Sequence, residues 1–458
     1  MSNENWLIYP TVDLFVYDLA DGIGQNEDKI SQNRELFLQK IYGDNISALQ
    51  REQFKQAETE TDDYIELLKN PNIAEFEPPL NGYSYPVKLG DTYAAQFDLS
   101  GKIEPDADKR FAKKEIDRLE LLKQEVISRI NSPATIGQSW FISGQLTADD
   151  QDALTTAKNC YTKLKLFPNA VWDRDLQTEG QFLGANFYEL WQPPGDKGNI
   201  SQNHHVLICL FPYNSGQSIL VLSKTFDEFY THLIRLFAYR NKVIWAYTQS
   251  RELKVSLKDS SGKIQQFVNR LLAQVNAPKV DLKELQKNLV DFLTISSAYA
   301  SNISGLEQQE NTIKTNLRNY QIRLKTISQK MGTDAKDFKF MGKFSIFVKD
   351  KYVWQVESDN RSLSGGLRLL ENAIQTIEGI IEIERAKSDR TLNVTIGAVG
   401  MGIGISGVVA STYSSQIKSP ASPINPMDVN AVFWSSIGLG ILPALIAIVL
   451  IAIGNRRR

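Results

Sequence analysis

Two long uncharged stretches toward the carboxyl end constrain this chain more than any other feature. Residues 391–412 (TLNVTIGAVGMGIGISGVVAST) and 431–454 (AVFWSSIGLGILPALIAIVLIAIG) carry no charged side chain. A helix of either length spans roughly 33–36 Å, enough for a hydrocarbon core of about 30 Å. Together they predict a hairpin of two membrane helices. The segment between them, 413–430, has only Lys418 and Asp428, and Pro420, Pro423 and Pro426 keep it extended. Arg385, Lys387 and Arg390 precede the first span; Arg456, Arg457 and Arg458 follow the second. Basic residues favour the cytosolic side, so the pattern predicts an integral, multi-pass protein with both termini in the cytosol.

Small residues recur along the first span. Asn393, Gly397, Gly400, Gly404, Gly407 and Ser411 are spaced by 4, 3, 4, 3 and 4, one stripe on a helix. Such a stripe lets neighbouring helices approach closely, and it equally suits the lining of a narrow pore. Gly402, Gly404 and Gly407 also spell G-x-G-x-x-G. That dinucleotide fingerprint needs a following βαβ unit, and another apolar span follows instead.

The remainder reads as an α+β body. Apolar, β-rich runs at 6–9, 12–17, 93–99, 136–146, 182–191, 206–211 and 219–222 alternate with helical patterns at 29–69, 109–130 and 148–165. A cytosolic mixed α/β domain is expected over 1–223 and a long helical, coiled-coil region over 224–365. A stalk helix over 366–390 leads to the spans at 391–412 and 431–454. Residues 413–430 form the external loop and 455–458 a basic tail. Leu306, Ile313, Leu317, Tyr320, Leu324, Ile327 and Met331 follow heptad spacing. Leu367, Leu370, Ile374, Ile377 and Ile381 begin a second run that Ser362 or Ser364 could cap. Either run pairs subunits or packs on its own chain. Phe344–Val348 and Tyr352–Val356 fit a hairpin or a continued helix.

Composition excludes several partners. The chain is 42% hydrophobic and 23% charged with a net charge of −2. No strong basic field exists to bind nucleic acid. Cys160 and Cys209 make neither a disulfide framework nor a metal-ligand spacing, which fits a reducing compartment. His204, His205 and His232 are the three histidines; adjacent residues on a strand face opposite sides, so the first two read as a surface or satisfied pair. Asp13, Asp18 and Asp21, followed by Gly22 and Gly24, read as a solvated turn or a cation or phosphate loop. No G-x-x-x-x-G-K-[ST], H-E-x-x-H or G-x-S-x-G occurs. An enzyme and a cofactor are therefore not expected, and any metal stays undetermined. Glu371, Glu378, Glu382 and Glu384 on the stalk become rings of carboxylates in a parallel homo-oligomer, and such rings attract inorganic cations. On one chain alone they are a solvated helix face.

The order of parts resembles the CorA-like magnesium-transporter superfamily: an α/β domain, long helices, a stalk running into the first span, and a basic tail. The resemblance covers roughly the last hundred residues and implies a pentamer with a stalk-gated pore. The family's Gly-Met-Asn signature is missing; Gly400-Met401-Gly402 lies mid-span without the Asn. Two function classes follow. One is a homo-oligomeric ion channel or transporter in the lipid bilayer. The other is a non-conducting, membrane-anchored sensor or scaffold oligomerised through coiled coils.

Overall fold

The computed structural model describes residues 3–22, 24–102, 112–130, 132–193, 205–213, 219–275, 282–330 and 339–387. The expected hairpin lies outside them, with Arg390, Asn393, Gly397, Gly400, Gly404, Gly407, Ser411, Arg456, Arg457 and Arg458. Among the described residues no helix is long and apolar enough to cross a membrane. The chain divides into two compact units. The first takes the described residues of 3–22, 27–259 and 299–364; the second takes those of 23–26, 260–298 and 365–387.

The first unit is organised by β1 (Trp6–Leu19), a 14-residue strand. Sequence runs 6–9 and 12–17 are this single strand. Its neighbours are β5 (Thr92–Lys102) and β7 (Gly137–Gln145), both antiparallel. Further strands are β2 (Ile65–Glu66), β3 (Ala74–Glu75), β4 (Leu80–Leu89), β6 (Lys113–Glu115), β8 (Leu176–Phe182), β9 (Ala185–Trp191) and β10 (His205–Phe211). The sheet order is β2-β4-β5-β1-β7-β10-β9-β8, with β3 on β4 and β6 on β1. Among the described residues only the β7–β10 pairing is parallel. The run 182–191 is split by a two-residue turn in which Leu183 and Gly184 both have positive φ, the conformation that closes a tight hairpin. Strand β4 was not foreseen.

Residues Val12 to Tyr17 are all buried, because helices cover both faces of the sheet. On one face Val12, Leu14 and Val16 join a core with α1 (Glu27–Tyr42), α2 (Ala48–Ala57), α3 (Arg118–Arg129) and α4 (Ala153–Leu164). Ser47 and Gln50 form a reciprocal capping box on α2. On the opposite face Asp13, Phe15 and Tyr17 meet α5 (Ile219–Val275). Phe15 packs edge-on to Phe237 at 5.3 Å, and the Tyr17 hydroxyl donates to the Ile234 carbonyl at 2.9 Å. The run 219–222, expected as a strand, is the first turn of α5. A short apolar run carries no period of its own, and here it extends a long helix.

Asp13 and Asp18 sit within β1 and are buried, so they form neither a turn nor a loop. Asp18 ties three segments together. Its carboxylate pairs with buried Lys40 of α1 at 2.5 Å and accepts from the Thr135 amide at 2.8 Å. Lys40 also donates to the Pro133 carbonyl at 3.2 Å.

Three helical segments complete the first unit: residues 219–259 of α5, residues 299–330 of α6 (Leu282–Lys330), and the stretch from Lys343. That stretch is α-helical over Lys343–Phe347, π-helical over Val348–Val353, and continues as α7 (Trp354–Lys387). Residues 344–356 are thus a continued helix. Tyr247 stacks on Tyr352 at 3.8 Å, and Asp359 pairs with Arg251 at 2.6 Å and Lys254 at 2.7 Å. Leu306, Ile313, Leu317, Tyr320 and Ile327 are buried by their own chain, so this heptad seam packs within the protomer. Ser362 and Ser364 do not cap a helix. They lie inside α7 and return their hydroxyls to the carbonyls of Ser358 and Asn360, four residues back. The second unit is helical over its described residues in 260–298 and 365–387, with Ile264, Phe267, Leu271, Phe292, Leu370, Ala373 and Ile377 buried.

Replacing Lys40 by Met strands a buried carboxylate, and loss of one partner of such a pair costs about 3–5 kcal/mol. Urea unfolding of Lys40→Met is expected to show that loss, with much of it recovered when Asp18→Asn is added. Equal stability of K40M and wild type would contradict this account of the pair.

Candidate functional site

The densest polar chemistry in the first unit lies between the sheet and α5. Four strand residues contribute. Ser139 on β7, Glu189 on β9 and His205 on β10 are all fully buried, and Thr178 on β8 flanks them. Strand pairing brings them together: β7 lies beside β10, and His205 sits opposite Trp191 on β9. From the other side α5 supplies the consecutive residues Arg240 and Asn241, also fully buried.

His205 is the centre. Its Nδ1 lies 2.9 Å from the Ser139 hydroxyl, and its Nε2 lies 3.3 Å from Glu189 Oε1. Asn241 Nδ2 donates to the same Ser139 oxygen at 2.9 Å and to the Phe237 carbonyl at 2.9 Å. Thr178 donates to Glu189 Oε2 at 3.1 Å. Gly137 lets Asn241 come this close: with φ at +154°, a Cβ there would sit 2.5 Å from the Asn241 Oδ1 atom.

Arg240 is the anomaly. Its guanidinium faces aromatic rings, 4.4 Å from the Phe344 centroid and 5.3 Å from that of Trp191. None of its three nitrogens has a hydrogen-bond acceptor among the described residues. A cation over π faces gains electrostatic energy that partly replaces its hydration. Glu189 also attracts it. Burial nevertheless pushes the Glu189 carboxyl up to about 7, with Arg240 as the largest opposing influence. Burial, and then Arg240, drives His205 well below the usual imidazole range. At neutral pH the imidazole is therefore neutral, and the carboxyl is close to its midpoint.

A second buried group lies on the same face. Asp13 accepts from Gln96 at 2.7 Å and from the Tyr230 hydroxyl of α5 at 3.2 Å. Asp98 is its cross-strand partner. Burial, then Asp98, raises the Asp13 carboxyl well above the usual carboxylate range.

Ser139, His205 and Glu189 match the residue types of a nucleophile, base and acid. The serine is sealed from solvent, and its oxygen already receives the Asn241 amide, so no substrate carbonyl reaches it. The three side chains form a buried polar network held between the sheet and α5. Among the described residues, no three Cys, His, Asp or Glu side chains converge in a way that would hold a metal ion.

Of the residues expected from sequence, Glu371 lies exposed on α7, and Glu378, Glu382, Glu384, Arg385 and Lys387 lie on the same helix. His205 is buried in the polar network. His204 lies outside the described residues. Sequence reasoning missed Glu189 and Arg240. Glu189 had a signal, a lone charge in the apolar stretch Asn186–Trp191; Arg240 had none, because Leu233–Tyr247 also carries Arg235 and Lys242. No protein-family model matches this chain, and no curated protein or solved structure matches it significantly.

The protonation chemistry has a readable sign. Glu189 keeps its proton to about pH 7 when folded, against an ordinary 4.5. Its contribution to stability is full below pH 4.5 and is lost as pH rises through 7. His205 acts oppositely, contributing above its ordinary 6.5 and losing that as pH falls. Between pH 4.5 and 7, wild type is expected to lose up to about 3 kcal/mol relative to Glu189→Gln. Urea unfolding at a series of pH values checks it, and parallel profiles for the two proteins would contradict it.

Proposed function

We propose that the protein is a membrane-anchored sensor or scaffold, in which a cytosolic α/β domain is tied through helices to a two-span C-terminal hairpin. The observation that carries the reading is α7, continuous from Trp354 to Lys387. At its start it is held by ion pairs of Asp359 with Arg251 and Lys254, and of Glu357 with Lys314 at 2.6 Å. In sequence it ends just before the first uncharged run. A helix held at one end and entering lipid at the other passes displacement along its axis, because its backbone hydrogen bonds resist stretching.

Conduction is the second reading, favoured by the small-residue stripe from Asn393 to Ser411. Two spans cannot enclose a pore, so it requires a homo-oligomer, a pentamer if the CorA-like resemblance holds. The heptad seam from Leu306 to Ile327 is used within the protomer. The stalk residues Leu370, Ala373 and Ile377 are buried within the protomer as well, so subunit contacts for a pore fall to the spans. The carboxylates of Glu371, Glu378, Glu382 and Glu384 would then gather cations at the pore mouth.

The anchor reading predicts that full-length protein sediments with membranes, resists extraction by salt and alkaline carbonate, and is released by detergent. Recovery in the aqueous supernatant would contradict both readings. In detergent, a monomeric mass, or proteoliposomes without cation flux, eliminates conduction and leaves the anchor.

A further inference from the structure

We infer that the corner where α5 and α6 meet the loop preceding β2 binds an oxyanion, a phosphate or carboxylate group, between Arg235, Arg323 and Tyr64. His232 and Arg235 are three residues apart on α5, so their side chains leave the helix as neighbours, about 5–6 Å apart at Cβ. Arg323 reaches over from α6, and its Nη1 donates to His232 Nδ1 at 3.2 Å. That donation places the imidazole proton on Nε2, which is buried and has no acceptor among the described residues. Arg235 lays its guanidinium 3.7 Å from the Tyr64 ring centroid, and its Nε is likewise buried without an acceptor. The corner thus holds two guanidinium groups, with Arg323 on the Nδ1 side of the imidazole and the Nε2–H directed away from it.

The charge balance of the corner is one-sided. No acidic side chain among the described residues pairs with Arg235 or Arg323. The Tyr64 hydroxyl lies 2.7 Å from that of Tyr85. Tyr85 in turn donates to Glu66 at 2.7 Å, and Glu66 also accepts from Asn72 at 3.2 Å, so this carboxylate is engaged elsewhere. Burial, then Arg323, Lys330 and Arg235, presses His232 down to about 4, with Glu228 opposing. Burial, then Arg323, lowers Arg235 too. Like charges held this near, partly shielded from water, repel strongly unless an anion sits among them. An oxyanion meets the donors present, because a guanidinium offers paired N–H groups to the oxygens of a phosphate or carboxylate. The proposal is independent of the membrane reading, because every residue it uses lies in the first unit.

The test uses the full chain in detergent, titrated with inorganic phosphate at constant ionic strength, with chloride as the comparison. Calorimetry and the thermal midpoint are read for wild type, Arg323→Gln, Arg235→Gln and Arg323→Lys. A second arm offers phosphatidylcholine vesicles with and without phosphatidic acid, to separate a dissolved anion from a lipid headgroup. Saturable phosphate binding that raises the midpoint is expected. It should weaken at least tenfold in R323Q and R235Q and less in R323K. In chloride alone, R323Q should melt at or above the wild-type temperature, since a repelling charge is gone; an arginine with only a packing role would lower it. Binding to acidic vesicles but not to phosphate, lost in the same variants, assigns the site to a headgroup. Wild type that responds to neither probe overturns the inference, as do glutamine variants that bind as tightly as wild type.

Discussion

A guanidinium that leaves water must face something, and in this protein Arg240 sets what the sheet and the helices can do. It is fully buried, stacked on Phe344, and attracted by Glu189 across the layer. Sheet, α5 and the helical stretch from Lys343 thus share one desolvated charge. Removing any one of them exposes it and discards the aromatic stacking. A buried cation with incomplete pairing is costly. The surroundings that offset this cost are apolar and drawn from all three elements: Phe344, Trp191 and the stacked Tyr247–Tyr352 pair. Polar satisfaction and apolar packing here belong to the same contacts.

The central strand explains why so much polar chemistry is buried. β1 has helices on both faces, so even its odd-numbered positions are closed to solvent. Asp13 is held there by Gln96 and the Tyr230 hydroxyl, with burial raising its carboxyl above the usual range, and Asp18, at the far end of the strand, pairs with Lys40. The same sheet face carries His205 and Glu189, two and three strands along respectively. A row of titratable groups therefore runs beneath α5, with burial raising the carboxyls of Asp13 and Glu189 and lowering the imidazole of His205.

Much of the scaffold was legible because its elements have a strong period or clear punctuation. The strands at 93–99, 136–146 and 206–211 and the helices around α3 and α4 follow directly from alternation and amphipathic spacing. β4 escaped because Pro86 and Gly82 interrupt its pattern, and neither is expected well inside a strand. The true signal was the turn at Gly90-Asp91, where Gly90 takes a positive φ between β4 and β5. Ser362 and Ser364 misled because a hydroxyl that caps a helix also bonds back inside one. The candidate site was the least legible part. Glu189, His205 and Arg240 are scattered over fifty residues, and only strand pairing with a helix laid across it brings them together. A heptad seam looks the same in sequence whether its partner is another subunit or the next helix of the same chain. The burial of Leu306, Ile313 and Tyr320 decides it for this run.

The central claim is that the sheet and the helices over it form one cooperative body joined through Arg240. Native-state hydrogen exchange tests it most directly. Amides of β7 and β10, of α5 near Arg240, and of α6 near Tyr320 are expected to exchange through a single opening, with one free energy and one denaturant dependence. Exchange of the α5 and α6 amides through a lower-energy opening, while the sheet stays protected, would contradict the account.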